Sequence, residues 1–179
     1  MLKVEDGEPR RLILRWMTEL STAAAWLESL GYVYGDIRPP NLLLDSEGHL
    51  KLTDFDNTAA VGTAVEVGIV PYARVLGGEG GEQRESFGYL GPRTEQFVIG
   101  SIFYYMTRGY ESYNNEWFGE RHGPVIVDLL QKMMFPNTDD NKVDTIVRSY
   151  WHGEYDSIQA FVGYGEIAGM ALTVVDQWP

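Results

Sequence analysis

Three polar residues, Asp36, Asn41 and Asp54, stand at the edges of short apolar segments, where side chains can leave a sheet and enter a cleft. Four residues separate Asp36 from Asn41, and twelve separate Asn41 from Asp54. Taken singly, Asp and Asn in such places are turn formers. Taken together they supply what phosphoryl transfer needs: a carboxylate to orient an attacking hydroxyl, and hard oxygen ligands to hold magnesium against nucleotide phosphates.

The elements that must position these groups can be read from pattern. Leu12, Trp16, Leu20, Ala23, Leu27 and Leu30 recur at spacings of three and four, which predicts an amphipathic helix over Arg10 to Leu30, with Pro9 in its first turn and Gly31 past its end. Leu42 to Leu44 and His49 to Thr53 flank Asp45-Ser46-Glu47-Gly48, the pattern of a hairpin. Pro39-Pro40 is expected to forbid helix and hold the intervening loop extended. From Asn57 to about Pro92 a Gly-rich, charged stretch predicts a long loop. A helix apolar on every side follows from about Thr94 to Arg108, closed by Gly109, and is expected to run through the centre. Further helices are predicted over Pro124 to Met134 and from about Asn141, where Val143, Ile146, Val147, Tyr150 and Trp151 form one stripe. The tail from Ser157 is read as helical in part. The fold class is therefore α+β, mostly helical, with a small hairpin, in a single domain over residues 1–179.

The segment Tyr34-Gly35-Asp36-Ile37-Arg38-Pro39-Pro40-Asn41 resembles the catalytic loop of eukaryotic protein kinases, H-R-D-L-x-x-x-N, and Asp54-Phe55-Asp56 resembles their D-F-G triplet. The spacings agree with that family. Gly100 to Gly109 resembles the central helix of the kinase C-terminal lobe, Val127 to Pro136 its next long helix, and Trp151 a buried tryptophan that follows. The likeness covers about Arg10 to Ala160 and is to the diverged kinases common in filamentous fungi. It implies ATP and Mg2+ as cofactors. It implies that Asp36 orients the substrate hydroxyl, that Asn41 and Asp54 hold magnesium, and that Arg38 either clamps the transferred phosphate or pairs with nearby acids. Residues 57–93 would be the activation segment, 94–160 the helical subdomain and 161–179 a tail.

The departures are specific. Tyr34 replaces the family histidine, Gly35 the arginine that grips a phosphorylated activation loop, and Asp56 the glycine of the triplet. Control by loop phosphorylation is therefore not expected. Glu95 stands where the central helix usually begins with a bracing aspartate. The A-P-E motif has only loose counterparts in Tyr72 to Leu76 and Gly91 to Arg93. No G-x-G-x-x-G precedes the catalytic loop, and the only earlier lysine is Lys3, with 32 residues between it and Asp36. The N-terminal lobe is expected to be absent, leaving Phe55 and the leucines from Leu42 to Leu52 partly exposed, and a protein partner or self-association at the uncovered cleft face.

Composition limits the alternatives. A net charge of -12 repels phosphate backbones and anionic membranes, so neither nucleic acid nor membrane is an expected partner. There is no cysteine, hence no disulfide and no Cys-ligated zinc. No secretory signal is visible and the longest apolar run, Phe97 to Met106, is too short to span a bilayer, so a cytoplasmic or otherwise intracellular protein is expected. His49, His122 and His152 lack ligand spacing. Gly163 to Ala168 mimics a dinucleotide fingerprint but follows no convincing strand, and Gly77 to Gly81 lacks the helix start of a phosphate cradle. Three functions compete: an active protein kinase, a non-catalytic pseudokinase or truncated product that binds a partner, and a small-molecule phosphotransferase with a related loop.

Overall fold

Helix α1 (Arg10–Ser29) follows Pro9, whose carbonyl accepts from the Leu12 and Ile13 amides, and it ends where Gly31 turns left-handed at φ +81°. A computed structural model describes residues 2–4, 8–139 and 141–160 of the chain. The buried face of α1 is Ile13, Trp16, Met17, Leu20, Ala24 and Leu27. It is wider than the predicted stripe, and Leu30, placed on that stripe by periodicity, lies beyond the helix and is exposed.

Two antiparallel pairs of strands follow. Strand β1 (Tyr32–Val33) pairs with β4 (Ala59–Ala60), and β2 (Leu42–Leu44) pairs with β3 (Leu50–Leu52) with Leu43 opposite Lys51. The β2–β3 turn is closed by Asp45, whose Oδ1 accepts from the Glu47 and His49 amides at 3.0 and 2.9 Å. The hairpin is anchored on α1. Trp16 Nε1 donates to the Gly48 carbonyl at 2.9 Å, and the Glu19 carboxylate accepts from the Leu50 amide and meets His49 Nδ1. Leu42 and Leu50 are thereby buried, at 0% and 5% exposure, whereas Leu43, Leu44 and Phe55 are 40%, 40% and 49% exposed. Partial exposure, expected across Phe55 and the leucines from Leu42 to Leu52, holds for Phe55, Leu43 and Leu44 but not for Leu42 and Leu50, which helix α1 covers.

Helix α2 (Pro92–Arg108) runs through the core, with Phe97, Ile99, Ile102, Phe103, Tyr104 and Met106 all buried. It packs chiefly on α4 (Lys142–His152), whose buried residues include all five of the predicted stripe. Gly100 permits this approach, because a Cβ there would lie 3.0 Å from both Trp151 Cδ1 and Tyr150 Cβ. Asn141 caps α4, its Oδ1 accepting from the Val143 and Asp144 amides. Helix α3 (His122–Gln131) starts two residues earlier than predicted and stops three earlier, where Met133 adopts φ +57° and breaks the run.

The stretch from 61 to 91 is more ordered than a structureless loop. Backbone bonds join its limbs: Gly62 N to Leu90 O, Leu90 N to Thr63 O, Val65 N to Gly88 O, and Leu76 N to Ser86 O, all at 2.8–2.9 Å. Gly78–Gln83 is 3-10 in character on either side of a kink at Gly81, where φ is 55° and ψ -119°. Among the described residues no helix is long and apolar enough to cross a membrane. The tail over 161–179 and the 163–168 fingerprint mimic lie outside the described residues.

Candidate functional site

The segment 34–41 hangs between β1 and β2 and is fixed from below. Tyr34 and Ile37 are fully buried, and the backbone amides of Tyr34 and Gly35 both donate to the Glu95 carboxylate, the first at 3.0 Å to Oε2. Glu95 is 3% exposed in the first turn of α2, so the central helix supplies the brace. Burial pushes its carboxyl up to about 7, against the opposing pull of the two amides.

Tyr34 does a second job. Its hydroxyl donates to the carbonyls of Thr53 and, at 2.9 Å, Asp54, and its ring meets Phe55 edge-on with centroids 5.3 Å apart. Burial, with Asp36 and Asp54 nearby, pushes the phenol up to about 12, so it remains a hydroxyl donor at neutral pH. The loop and the 54–56 triplet are thus tied through a phenol rather than an imidazole. A second tie runs from the Asn41 carbonyl, which accepts from Thr53 N at 3.0 Å and Thr53 Oγ1 at 3.1 Å.

Pro39-Pro40 does not keep the loop extended. Pro39–Asn41 forms one 3-10 turn, with the Asn41 amide donating to the Arg38 carbonyl at 2.9 Å. Proline suits the first positions of such a turn because no intrahelical donor is needed there. Arg38, just before the turn, is extended at φ -158° and ψ 159°. This turn folds Asn41 back toward Asp36, and Asn41 Nδ2 donates to Asp36 Oδ2 at 2.7 Å and to the Asp36 carbonyl at 3.0 Å. Arg38 Nε donates to Asp36 Oδ1 at 2.9 Å. Of its two readings, the pairing with an acid is the one seen here, made through Nε alone among the described residues. Asn57 Nδ2, at 3.4 Å from Asp36 Oδ2, completes the set.

The structure therefore joins Asp36, Arg38 and Asn41 side chain to side chain. Asp54 is bonded to none of the three: its backbone carbonyl accepts from the Tyr34 hydroxyl, and its carboxylate is exposed and makes no hydrogen bond among the described residues. Its backbone is left-handed at φ 64° and ψ 74°, uncommon for a residue other than glycine, and such conformations cluster at functional sites. Asp56 lies exposed in the 3-10 turn Phe55–Asn57. Sequence reasoning missed Asn57, a lone amide with no motif to mark it.

The donor set fits magnesium in a limited way. Asn41 spends Nδ2 on Asp36, which turns Oδ1 away as a hard ligand, and the Asp54 carboxylate is unspent. Among the described residues no group of three or more His, Cys, Asp or Glu could hold a metal alone. Two oxygens suit a cation that keeps its waters and shares nucleotide phosphates.

No family model matches the chain. It is similar to serine/threonine-protein kinase MRCK gamma of Mus musculus, 30% identical over 132 residues that make 69% of this chain and 8% of that protein. It is also similar to serine/threonine-protein kinase MRCK alpha of Mus musculus, 28% identical over 158 residues, 82% of this chain and 9% of that protein. A shorter stretch of 40 residues, 22% of the chain, is 55% identical to 5% of ribosomal protein S6 kinase alpha-3 of Mus musculus. The chain spans less than a tenth of the length of each of these relatives. These similarities relate the chain to serine/threonine protein kinases and mark it as protein kinase-like.

Proposed function

We propose that this chain is the C-terminal lobe of a protein kinase-like phosphotransferase acting on protein hydroxyls, and that the 179-residue polypeptide by itself transfers phosphate from ATP very slowly or not at all. The observation that carries the reading is the Asp36 carboxylate, held by Arg38 and Asn41 in a loop braced by buried Glu95. A carboxylate so fixed can orient an incoming hydroxyl and take its proton. Arg38 would release Asp36 to meet a phosphoryl oxygen, and Asn41 and Asp54 would hold magnesium. Bound MgATP supplies the phosphoryl group and the charge neutralisation. The weakness of transfer follows from the residues that grip the nucleotide, a Gly-rich loop and a strand lysine, which this stretch does not contain.

A radiolabelled-ATP assay on pure protein with generic protein substrates checks this. Transfer at or near background is expected, and any residue of it should need magnesium and disappear in Asp36→Asn and in Asp54→Ala. Robust transfer that survives Asp36→Asn would overturn the assignment of roles.

The second reading is a non-catalytic module that binds a protein or its own copy. Half-exposed Phe55 with exposed Leu43 and Leu44 favours it, since each large apolar side chain left wet forgoes roughly 1.5–3 kcal/mol of burial. Light scattering on dilute protein is expected to show self-association that Phe55→Ser weakens. A monodisperse monomer at high concentration removes the support for this reading.

A further inference from the structure

Beneath the stretch 61–91 lies a cavity of about 630 Å³, bounded by the loop 35–38, the start of α2 and the end of α4. Its size falls within the range that drug-sized ligands fill. Ile69, Leu76, Phe87, Phe97, Val98 and Trp151 contribute its apolar wall. The wall is built, not improvised. The limb-to-limb backbone bonds hold it, and a Cβ on Gly68 would stand 2.6 Å from Ala73 Cβ and from the Phe87 ring.

The charged groups on the cavity divide unevenly. Asp36 pairs with Arg38, and Glu79 with Arg74, whose guanidinium also lies 5.7 Å over the Phe97 ring. Glu95 spends its carboxylate on the Tyr34 and Gly35 amides. Arg93 and His152 also line the cavity, and neither has a carboxylate partner among the described residues. Arg93 lies against Gly153, the neighbour of His152, with Nε 3.5 Å from where a Cβ would be. Arg93 is thus an exposed cation at the edge of an apolar cavity, able to pair with an anion seated there.

We infer that this cavity binds a small amphipathic acid, its apolar body against the Ile69–Phe87–Trp151 wall and its carboxylate on Arg93, with His152 as a second donor. A neutral apolar ligand would fill the same volume but leave Arg93 unused. Asp36, Arg38 and Asn57 also line this cavity, but the inference rests on its apolar wall and Arg93, which have no part in the proposed phosphotransfer, so either reading can fail without the other.

Decanoate and decanol, below their aggregation thresholds, separate shape from charge. Titration calorimetry on the full chain is expected to give one saturable decanoate site, bound at least about tenfold more tightly than decanol. Arg93→Ala, a change at an exposed side chain, should erase that preference and leave decanol affinity unchanged. Ala73→Trp, which fills the cavity, should abolish both. Equal affinities for the two probes, a preference that persists in Arg93→Ala, or no saturable site in the parent would each overturn the proposal. If Ala73→Trp fails to fold, the Arg93→Ala comparison alone still decides.

Discussion

Replacing Arg108 by alanine is expected to lower the unfolding free energy by about 3–5 kcal/mol. Arg108 closes α2, and its Nη2 donates to Asp144 Oδ2 at 2.7 Å across to the first turn of α4. The Asp144 side chain is 1% exposed, and the same Oδ2 accepts from the Asp139 amide and Asn141 Nδ2. Oδ1 has no partner among the described residues. Removing the guanidinium would strand a buried carboxylate and bare the face of Tyr104, over which it lies at 5.6 Å. Breaking a buried pair costs more than deleting both members. Arg108→Met combined with Asp144→Leu should therefore recover most of the loss. Urea unfolding of the three proteins checks this. A single-variant cost below about 1 kcal/mol would place the pair among ordinary surface bridges.

Stability should also fall as pH rises from about 4.5 to about 7, because of Glu95. Burial raises its folded-state pKa to about 7 from an ordinary value of 4.5, with Glu28 adding to the rise. Within that window the unfolded chain has released the proton and the folded chain still holds it. Folding then takes up a proton, and its free energy weakens with each unit of pH, by roughly 3 kcal/mol in all. Above the window the contribution is flat. Glu95→Gln keeps an acceptor for the Tyr34 and Gly35 amides but has nothing to titrate, so the difference between parent and variant isolates the effect. Parallel stability curves for the two proteins between these pH values would show that Glu95 does not carry a raised pKa.

Much of the scaffold could be read from side-chain period. The α4 stripe and the buried run from Phe97 to Met106 were legible because burial on one face, or on all faces, leaves a repeat in the residue types. The Asp45-to-Gly48 turn was legible from local chemistry. What escaped depends on partners distant in sequence. Leu42 and Leu50 are dry because Trp16 and Glu19 draw the hairpin onto α1, which no pattern within the hairpin announces. The end of α3 is set by a left-handed Met133, a residue with good helix propensity. Proline pairs block helix interiors, and that rule hid the single 3-10 turn that brings Asn41 back to Asp36. At the candidate site the residue types and spacings came from sequence and their roles from resemblance. The contributions of Asn57 and of the Glu95 amide bonds join residues far apart in the chain and leave no local pattern. The cavity beneath 61–91 was invisible in advance, since an ordered arch and a slack loop share the same glycines.

Gly35 sits at φ +81°, and a Cβ there would fall 2.7 Å from the Asn57 carbonyl oxygen. The arginine that protein kinases commonly carry at this place cannot be restored by one substitution while the 55–57 turn stays where it is. A side chain at this position is strained at φ +81° and must also push that turn aside, while the segment just before the turn is held by the Tyr34 bonds to Thr53 and Asp54. Placing a side chain at 35 therefore requires a coordinated change in the facing turn at Asn57, not one substitution alone.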